Sequence, residues 1–351
     1  MPSPFKSFGA APKGARLERM LRSPHFRDAA FQNPIPTQLL TPGSTSRILR
    51  GRLGNTAARR PAGPVPLYGD TAASLRLPAP SGLRATWLGH ATTLLEMGTQ
   101  RFLLDPVWSE RVSPFSGVGP RRFHAPPLAM ADLPPLDAIV LSHDHYDHLD
   151  APTIAALVAD TRQARAVFIA PLGVGAHLER FGVPAARILE LDLHEAAQVG
   201  AVRLTATPAR HFSRRGLRGN GTLWCSYVLA SPGHRVFFSG DSGFFPGFAD
   251  IGATYGPFDL SLIAIGAYSD DWPDVHLTPE EALEAHALLR GGVLLPLHWA
   301  TFDLAPHPWA EPPERLLAAR PASVPVALPR PGEPLDLRQM QPMQPWWHGG
   351  S

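Results

Sequence analysis

Cys225 is the sole cysteine in 351 residues. That excludes an intramolecular disulfide, and with it a cysteine zinc knuckle or a thiol relay. A reducing compartment suits such a chain, and a cytoplasmic location is the expectation. Long apolar runs are missing too: no stretch approaches the ~20 uninterrupted apolar residues that a bilayer span needs. The opening MPSPFKSFGAAPKGARLERM has no continuous apolar centre and makes a poor signal peptide. Charge of one sign is also scarce. The net charge is only +2 and arginines are spread along the chain, which argues against nucleic acid as a partner. Peripheral membrane contact and homo-oligomerisation stay open. Lysine is confined to Lys6 and Lys13 beside 40 prolines, a bias of composition rather than of function.

What is present is a soluble globular balance, 44% hydrophobic and 18% charged, long enough for one large domain or two smaller ones. Residues 1–80, rich in Pro, Gly and Arg, read as an irregular N-terminal extension packed on a core, with a short helix near 14–22. Residues 81–330 carry the periodic pattern of one ordered domain. Short apolar strands are predicted at Leu83–Leu88, Thr93–Met97, Arg101–Leu104, Ala138–Ser142, Ala166–Ala170, Val202–Thr207, Arg235–Ser239, Leu260–Ala267 and Val293–Leu297. Helices are predicted at Pro152–Asp160, Val174–Phe181 and Pro279–Arg290. The last opens on a Thr278/Glu281 capping box and stops at Gly291-Gly292. Mixed strands and helices predict an α/β fold of layered sheets flanked by helices. Residues 331–351 read as a loosely held tail apart from Trp346-Trp347.

The segment AIVLSHDHYDHLD sets a buried strand directly before His143, His145, Asp147 and His148. Such tight spacing in a loop after a strand lets one backbone segment turn donors toward two adjacent metal ions. Imidazole and carboxylate suit zinc, iron or manganese, with positions left for water. More donors end later strands: His211 after VRLTATPAR, Asp241 after HRVFFSG and His298 after VLLPL. A single histidine at a strand end is usually structural, but three such residues in series after His-x-His-x-Asp-His point to ligands.

This pattern resembles the metallo-β-lactamase superfamily. The resemblance implies a four-layer αββα sandwich and two zinc ions, with manganese or iron as alternatives. It places His143, His145 and His211 on one metal, Asp147, His148 and His298 on the other, and Asp241 between them. A narrower likeness runs from residue 80 to 315, about two-thirds of the chain. Trp87–Thr92, Leu104-Asp105-Pro106, Ser142–Asp150, His211–Arg215, Gly240-Asp241, Gly256–Leu260, Ile265–Tyr268, Pro279–Ala282 and His298–Phe302 recur in order. Together they are similar to the N-acylphosphatidylethanolamine-hydrolysing phospholipase D branch and its bacterial relatives. That branch implies a dinuclear phosphodiesterase that uses a metal-bridging hydroxide on a phospholipid or small phosphoester. No protein nucleophile is needed, and no Gly-x-Ser-x-Gly elbow supplies one.

Asp147 is the candidate to orient or deprotonate the water. By the same resemblance His276 binds substrate or protonates the leaving group, against the reading of a plain loop histidine. Arg214 and Arg215 either meet a phosphate or sit on a solvated turn. Asp105 either hydrogen-bonds a ligand histidine or caps a turn, and His90 reads as a supporting group rather than a ligand. Phe244, Phe245 and Phe248 read as core; His25, His177, His234 and His307 as surface or structure. Asp270, Asp271 and Trp272 form a loop expected to shape the pocket. Two other functions compete: a lactonase of a phosphorylated sugar, which would need a small polar pocket, and a non-catalytic metal-binding module, which would show lost ligands.

Overall fold

The computed structural model describes residues 6–53, 57–115, 117–216, 219–340 and 344–348. Along the N-terminal arm lie α1 (Gly14–Arg22), the two-residue strands β1 (Phe26–Arg27) and β2 (Ala30–Phe31), α2 (Ser44–Leu53) and α3 (Thr71–Ser74). The first sheet is built from β3 (Leu83–Gly89), β4 (Thr92–Met97), β5 (Gln100–Leu104), β6 (Ala138–Val140), β7 (Val167–Pro171) and β8 (Ile188–Leu191). Helices α4 (Ala151–Ala159) and α5 (Val174–Phe181) sit between its later strands. The second sheet comprises β9 (Ala196–Val199), β10 (Val202–Thr207), β11 (Ser226–Ala230), β12 (Arg235–Phe238), β13 (Phe258–Ala264) and β14 (Gly291–Leu297). Helices α6 (Gly247–Tyr255), α7 (Pro279–Leu288) and α8 (Glu311–Ala319) accompany it, and β15 (Pro334–Asp336) returns to the first sheet.

Strand alternation makes the layers. On the first sheet Leu95, Met97, Phe102, Leu104 and Val140 join a core shared with the second sheet. Their sequence neighbours Leu94, Leu103, Ile139 and Leu141 pack instead with Ile154 and Leu157 of α4 and Val174 and Leu178 of α5. Successive side chains of a strand point to opposite faces, so one strand serves two cores. The second sheet shares its core with Ile251 of α6, Leu283 of α7 and Leu316 of α8. The order is therefore helices, seven strands, six strands, helices: the αββα sandwich expected from the resemblance.

The polar stretch after Pro331, read from sequence as loosely held apart from Trp346-Trp347, includes a strand at residues 334–336. Strand β15 pairs with β3 and forms the edge of the first sheet. Trp346 stacks on Trp299 with ring centroids 5.1 Å apart, and Trp299 stacks on Trp87 at 5.4 Å. Three indoles bury more apolar surface than the polar residues around them suggest. The glycine pair expected to end α7 opens β14 instead, so the helix stops at Leu288. Among the described residues no helix is long and apolar enough to cross a membrane.

Candidate metal centre

Strand direction gathers the donors. Within the first sheet β5, β6 and β7 are parallel, and β3 runs with them because two antiparallel steps separate β3 from β5. In the second sheet β12, β13 and β14 are parallel, and β10 shares their direction. The loops leaving the carboxyl ends of these strands carry His90, Asp105, His143–His148, His211, Asp241, His276 and His298. Ligand sites in α/β sheets form at such ends.

The seven residues expected to ligate converge. Candidate donor atoms of His143, His145, His211 and Asp241 lie within 4.8 Å of one another, as do those of His90, Asp147, His148 and His298. His143 Nε2 is 2.8 Å from His145 Nδ1, which is 3.2 Å from His211 Nε2. His148 Nε2 and His298 Nε2 are 3.1 Å apart. Donors about 2 Å from one tetrahedral cation stand roughly 3.3 Å from each other, so these spacings fit atoms sharing an ion. Asp241 lies between the groups: Oδ2 is 3.1 Å from His148 Nε2 and 3.7 Å from His211 Nε2, while Oδ1 is 3.2 Å from His298 Nε2. Asp241 Oδ1 is buried and accepts no hydrogen bond, a costly state for a carboxylate oxygen unless a cation meets it.

Neighbours fix which nitrogen faces inward. Asp105 Oδ2 is 2.6 Å from His148 Nδ1, and the Val275 carbonyl is 2.8 Å from His211 Nδ1. Both contacts put the ring proton on Nδ1 and leave Nε2 to point into the cluster. Asp105 also accepts from the Ser142 backbone and hydroxyl, so the hydrogen-bonding reading of Asp105 holds. His90 Nε2 lies 3.0 Å from Asp147 Oδ2 and falls within the second donor group.

Electrostatics agree with a cation site. Burial holds His143 and His211 well below the usual imidazole range, so both are neutral donors. Burial likewise lowers His90 to about 3 and His276 to about 4. Burial would lower His148 and His298 as well, yet nearby Asp241 and Asp147 raise His148 well above normal and His298 to about 9. The same two carboxylates that would hold a proton there would hold a divalent cation. Burial opposes ionisation of Asp147 and Asp241, but the surrounding imidazoles keep both carboxyls well below the ordinary range.

The backbone is bent to present these groups. His90, Asp105, Ala267 and His298 have φ of 54°, 39°, 63° and 67°. Left-handed conformations cost non-glycine residues roughly 1–2 kcal/mol each. Hydrogen bonds offset this: His298 N to His90 O at 2.9 Å, His90 N to Thr301 Oγ1 at 2.6 Å, and Ala267 N to His307 Nε2 at 3.0 Å. Glycine is required beside two of the turns. A Cβ on Gly240 would stand 2.5 Å from the Ser142 Cβ, and one on Gly266 would stand 2.1 Å from the His298 carbonyl oxygen.

Other expectations divide. His276 lines the site, its Nδ1 buried without a hydrogen-bond partner and 3.9 Å from Asp241 Oδ2. Arg214 is exposed on the pocket wall, but Arg215 is buried over the Tyr146 ring and hydrogen-bonds the Asp144 and Ser7 carbonyls. Arg215 therefore fits neither the phosphate reading nor the solvated-turn reading. Phe245 and Phe248 are core, as expected. His177 is structural, its Nδ1 accepting from the Ala10 amide at 3.0 Å. Trp272 and Asp271 do line the pocket.

Asn33 was missed. Its side chain donates to the His211 carbonyl at 2.7 Å and accepts from the His211 amide at 2.9 Å, gripping a candidate ligand from the arm. Arg210 adds bonds to Pro36 and Thr37. A cavity of about 1060 Å³ opens above the donors, walled by Leu39, Leu40 and Ile48 of the arm and by Phe212, Trp272 and Leu304.

A family model described as a beta-lactamase superfamily domain matches residues 100–299. An uncharacterised protein of Mycobacterium tuberculosis is 48% identical over 332 residues, covering 93% of this chain and 88% of that protein. N-acyl-phosphatidylethanolamine-hydrolyzing phospholipase D 1 of Caenorhabditis elegans is 38% identical over 235 residues, 64% of this chain and 65% of the other. A metallo hydrolase of Ignicoccus hospitalis shares the fold, with a TM-score of 0.54 at 23% identity over 72% of this chain and 97% of that one. Carrying the matched domain, the αββα sandwich and the convergent donors, the chain belongs to the metallo-β-lactamase superfamily of metal-dependent hydrolases.

Proposed function

We propose that the protein is a dinuclear phosphodiesterase resembling phospholipase D. His143, His145 and His211 would hold one ion, Asp147, His148 and His298 the other, and Asp241 both. The observation that carries this is the pair of donor groups sharing the buried Asp241 beneath a large cavity. Zinc is the preferred metal, since five imidazoles and two carboxylates suit it; manganese or iron suits them nearly as well. Bound there, two divalent ions supply Lewis acidity and an acidified water.

The chain's own groups do the rest. Asp147 Oδ2, held by His90 at 3.0 Å, orients or accepts the proton of the attacking water. His276 faces the cavity with a nitrogen to spare and hydrogen-bonds the leaving-group oxygen. Leu39, Leu40, Ile48 and Leu304 give the cavity an apolar wall suited to the hydrocarbon part of an ester. The likeness to the nematode phospholipase supports the same substrate class.

The lactonase reading asks for a small polar pocket, and the size and apolar wall of this one favour the phosphodiester. Metal content by inductively coupled plasma mass spectrometry, with bis(p-nitrophenyl) phosphate hydrolysis before and after chelation, tests the proposal. About two ions per chain with chelator-sensitive turnover supports it. Two ions with turnover only of phosphorylated sugar lactones would replace it, and a chain unable to hold metal would sink it.

A further inference from the structure

The N-terminal arm does not treat the two donor groups alike. Asn33 holds the His211 backbone twice, donating to its carbonyl at 2.7 Å and accepting from its amide at 2.9 Å. The preceding residue, Arg210, donates to Pro36 O at 2.9 Å and Thr37 Oγ1 at 3.2 Å, and pairs with Asp274 Oδ2 at 2.6 Å. That same oxygen accepts from the Gln38 amide at 2.8 Å. Asp274 precedes Val275, whose carbonyl sets the His211 ring. Arm residues 33–38, His211 and the turn at 274–275 are therefore tied into one unit around a single donor. A second tie reaches the other histidines of that group. Asp144 lies buried between His143 and His145. Its carbonyl accepts from Arg215 Nη1 at 2.7 Å, and Arg215 Nε donates to the Ser7 carbonyl at 2.8 Å. His177 Nε2 stands 3.5 Å from Asp144 Oδ2, while its Nδ1 accepts from the Ala10 amide at 3.0 Å. Gly9 passes so close that a Cβ there would overlap the His177 ring.

The second group is held from the sandwich. Asp105 bonds His148, His90 bonds Asp147, and the His90 carbonyl accepts from the His298 amide. Among the described residues no hydrogen bond runs from the arm to Asp147, His148 or His298. Groups that fix a ligand from outside raise metal affinity, because the donor is already placed when the ion arrives. We infer that the arm is a positioning element for one ion of the two. Residues 7–10 and 33–38 hold the loops of His143, His145 and His211, and the sandwich alone holds the donors of the other ion. Asn33 acts through the His211 backbone and is a positioning residue. The ion on His143, His145 and His211 is then retained only as firmly as the arm is docked, and its neighbour is not so coupled. The inference rests on the dinuclear reading but not on hydrolysis.

Equilibration of cobalt-loaded wild-type and Asn33→Ala proteins against graded chelator provides the test. Ions per chain are read by mass spectrometry. The paramagnetically shifted ring N–H signals of His211 and His148, assigned by substitution, report which ion has left. Asn33→Ala is expected to release the His211 ion at about fivefold lower chelator, short of the roughly 10- to 100-fold cost of losing a partner on the ring itself. The His148 ion should leave at the wild-type concentration. Gly9→Ala, which presses on His177 rather than on His211, should shift the same ion in the same direction. Loss of both ions at one lowered concentration, as a general loosening of the fold would give, overturns the inference; so does an unshifted His211 ion in both variants. A wild-type chain that holds a single ion, reported by His211 and weakened by Asn33→Ala, refutes the dinuclear reading and leaves the role of the arm standing. A single ion reported by His148 alone overturns both.

Discussion

Residues 83–299 and the arm of residues 6–80 meet at one cavity but hold it by opposite means. In the sandwich, each donor leaves the end of a strand whose ladder fixes its direction, and a buried partner such as Asp105 or the Val275 carbonyl fixes its nitrogen. Near the site the arm contributes one helix, α2, and only the two-residue pair of β1 and β2. It reaches the centre through side chains aimed at backbone: Asn33 on His211, and Arg210 of the core on Pro36. Ladder hydrogen bonds form cooperatively within a packed sheet, whereas each arm contact stands nearly alone. The core should therefore lose function steeply and the arm by degrees.

The largest effect sharpens that contrast. Chelation should reduce hydrolysis to background and lower the melting temperature, because the buried Asp241 and half-buried Asp147 carboxylates lose the charge that compensates them. An unchanged melting temperature would mean the core is not held by metal. Next comes Asp105→Asn, which replaces a carboxylate on His148 Nδ1 by an amide and disturbs the Ser142 turn. Metal affinity or activity should fall about 10- to 100-fold, read by competition with a chromogenic chelator. Asn33→Ala tests the arm. It leaves the His211 amide and carbonyl without their partners, so global stability should fall by about 1–3 kcal/mol and metal affinity by less than for Asp105→Asn. A loss as large as that for Asp105→Asn would erase the distinction between the two regions.

The same contrast governs what could be read from sequence. Strands such as Leu83–Gly89 and Gly291–Leu297 announce themselves by apolar content, and the seven donors follow strands in a pattern dense enough to identify. Elements without that content escaped. Ile188–Leu191 and Ala196–Val199 are short with exposed positions. Helix α8 carries Pro312-Pro313 directly after its first residue, Glu311; they look like loop but fit a first turn whose amides have no partners anyway. Helix α6 starts at Gly247 after Pro246, and its Phe248 was legible only as core. Asn33 could not be read at all, since an amide gripping a backbone 178 residues away follows no spacing rule.

The smallest predicted effect probes the loop that carries His276, which lies within residues 83–299 yet is tied to the arm at Gln38. It leaves β13, passes Trp272 and ends at the α7 capping box. There Thr278 Oγ1 accepts from the Glu281 amide at 3.3 Å, and Glu281 Oε2 accepts from the Thr278 amide at 2.8 Å. Thr278→Ala removes half of that box and should cost about 1 kcal/mol in urea denaturation with the slope unchanged. Two further ties hold the loop independently of the helix: Val275 O to His211 Nδ1 at 2.8 Å, and Asp274 Oδ2 to the Gln38 amide at 2.8 Å. If those ties set the position of His276, kcat/KM stays at the wild-type value while stability falls. If kcat/KM falls in step with stability, the helix start positions His276 and the loop follows the rule of the core. The loop would then be an extension of the sandwich, and Gln38 would merely rest against it.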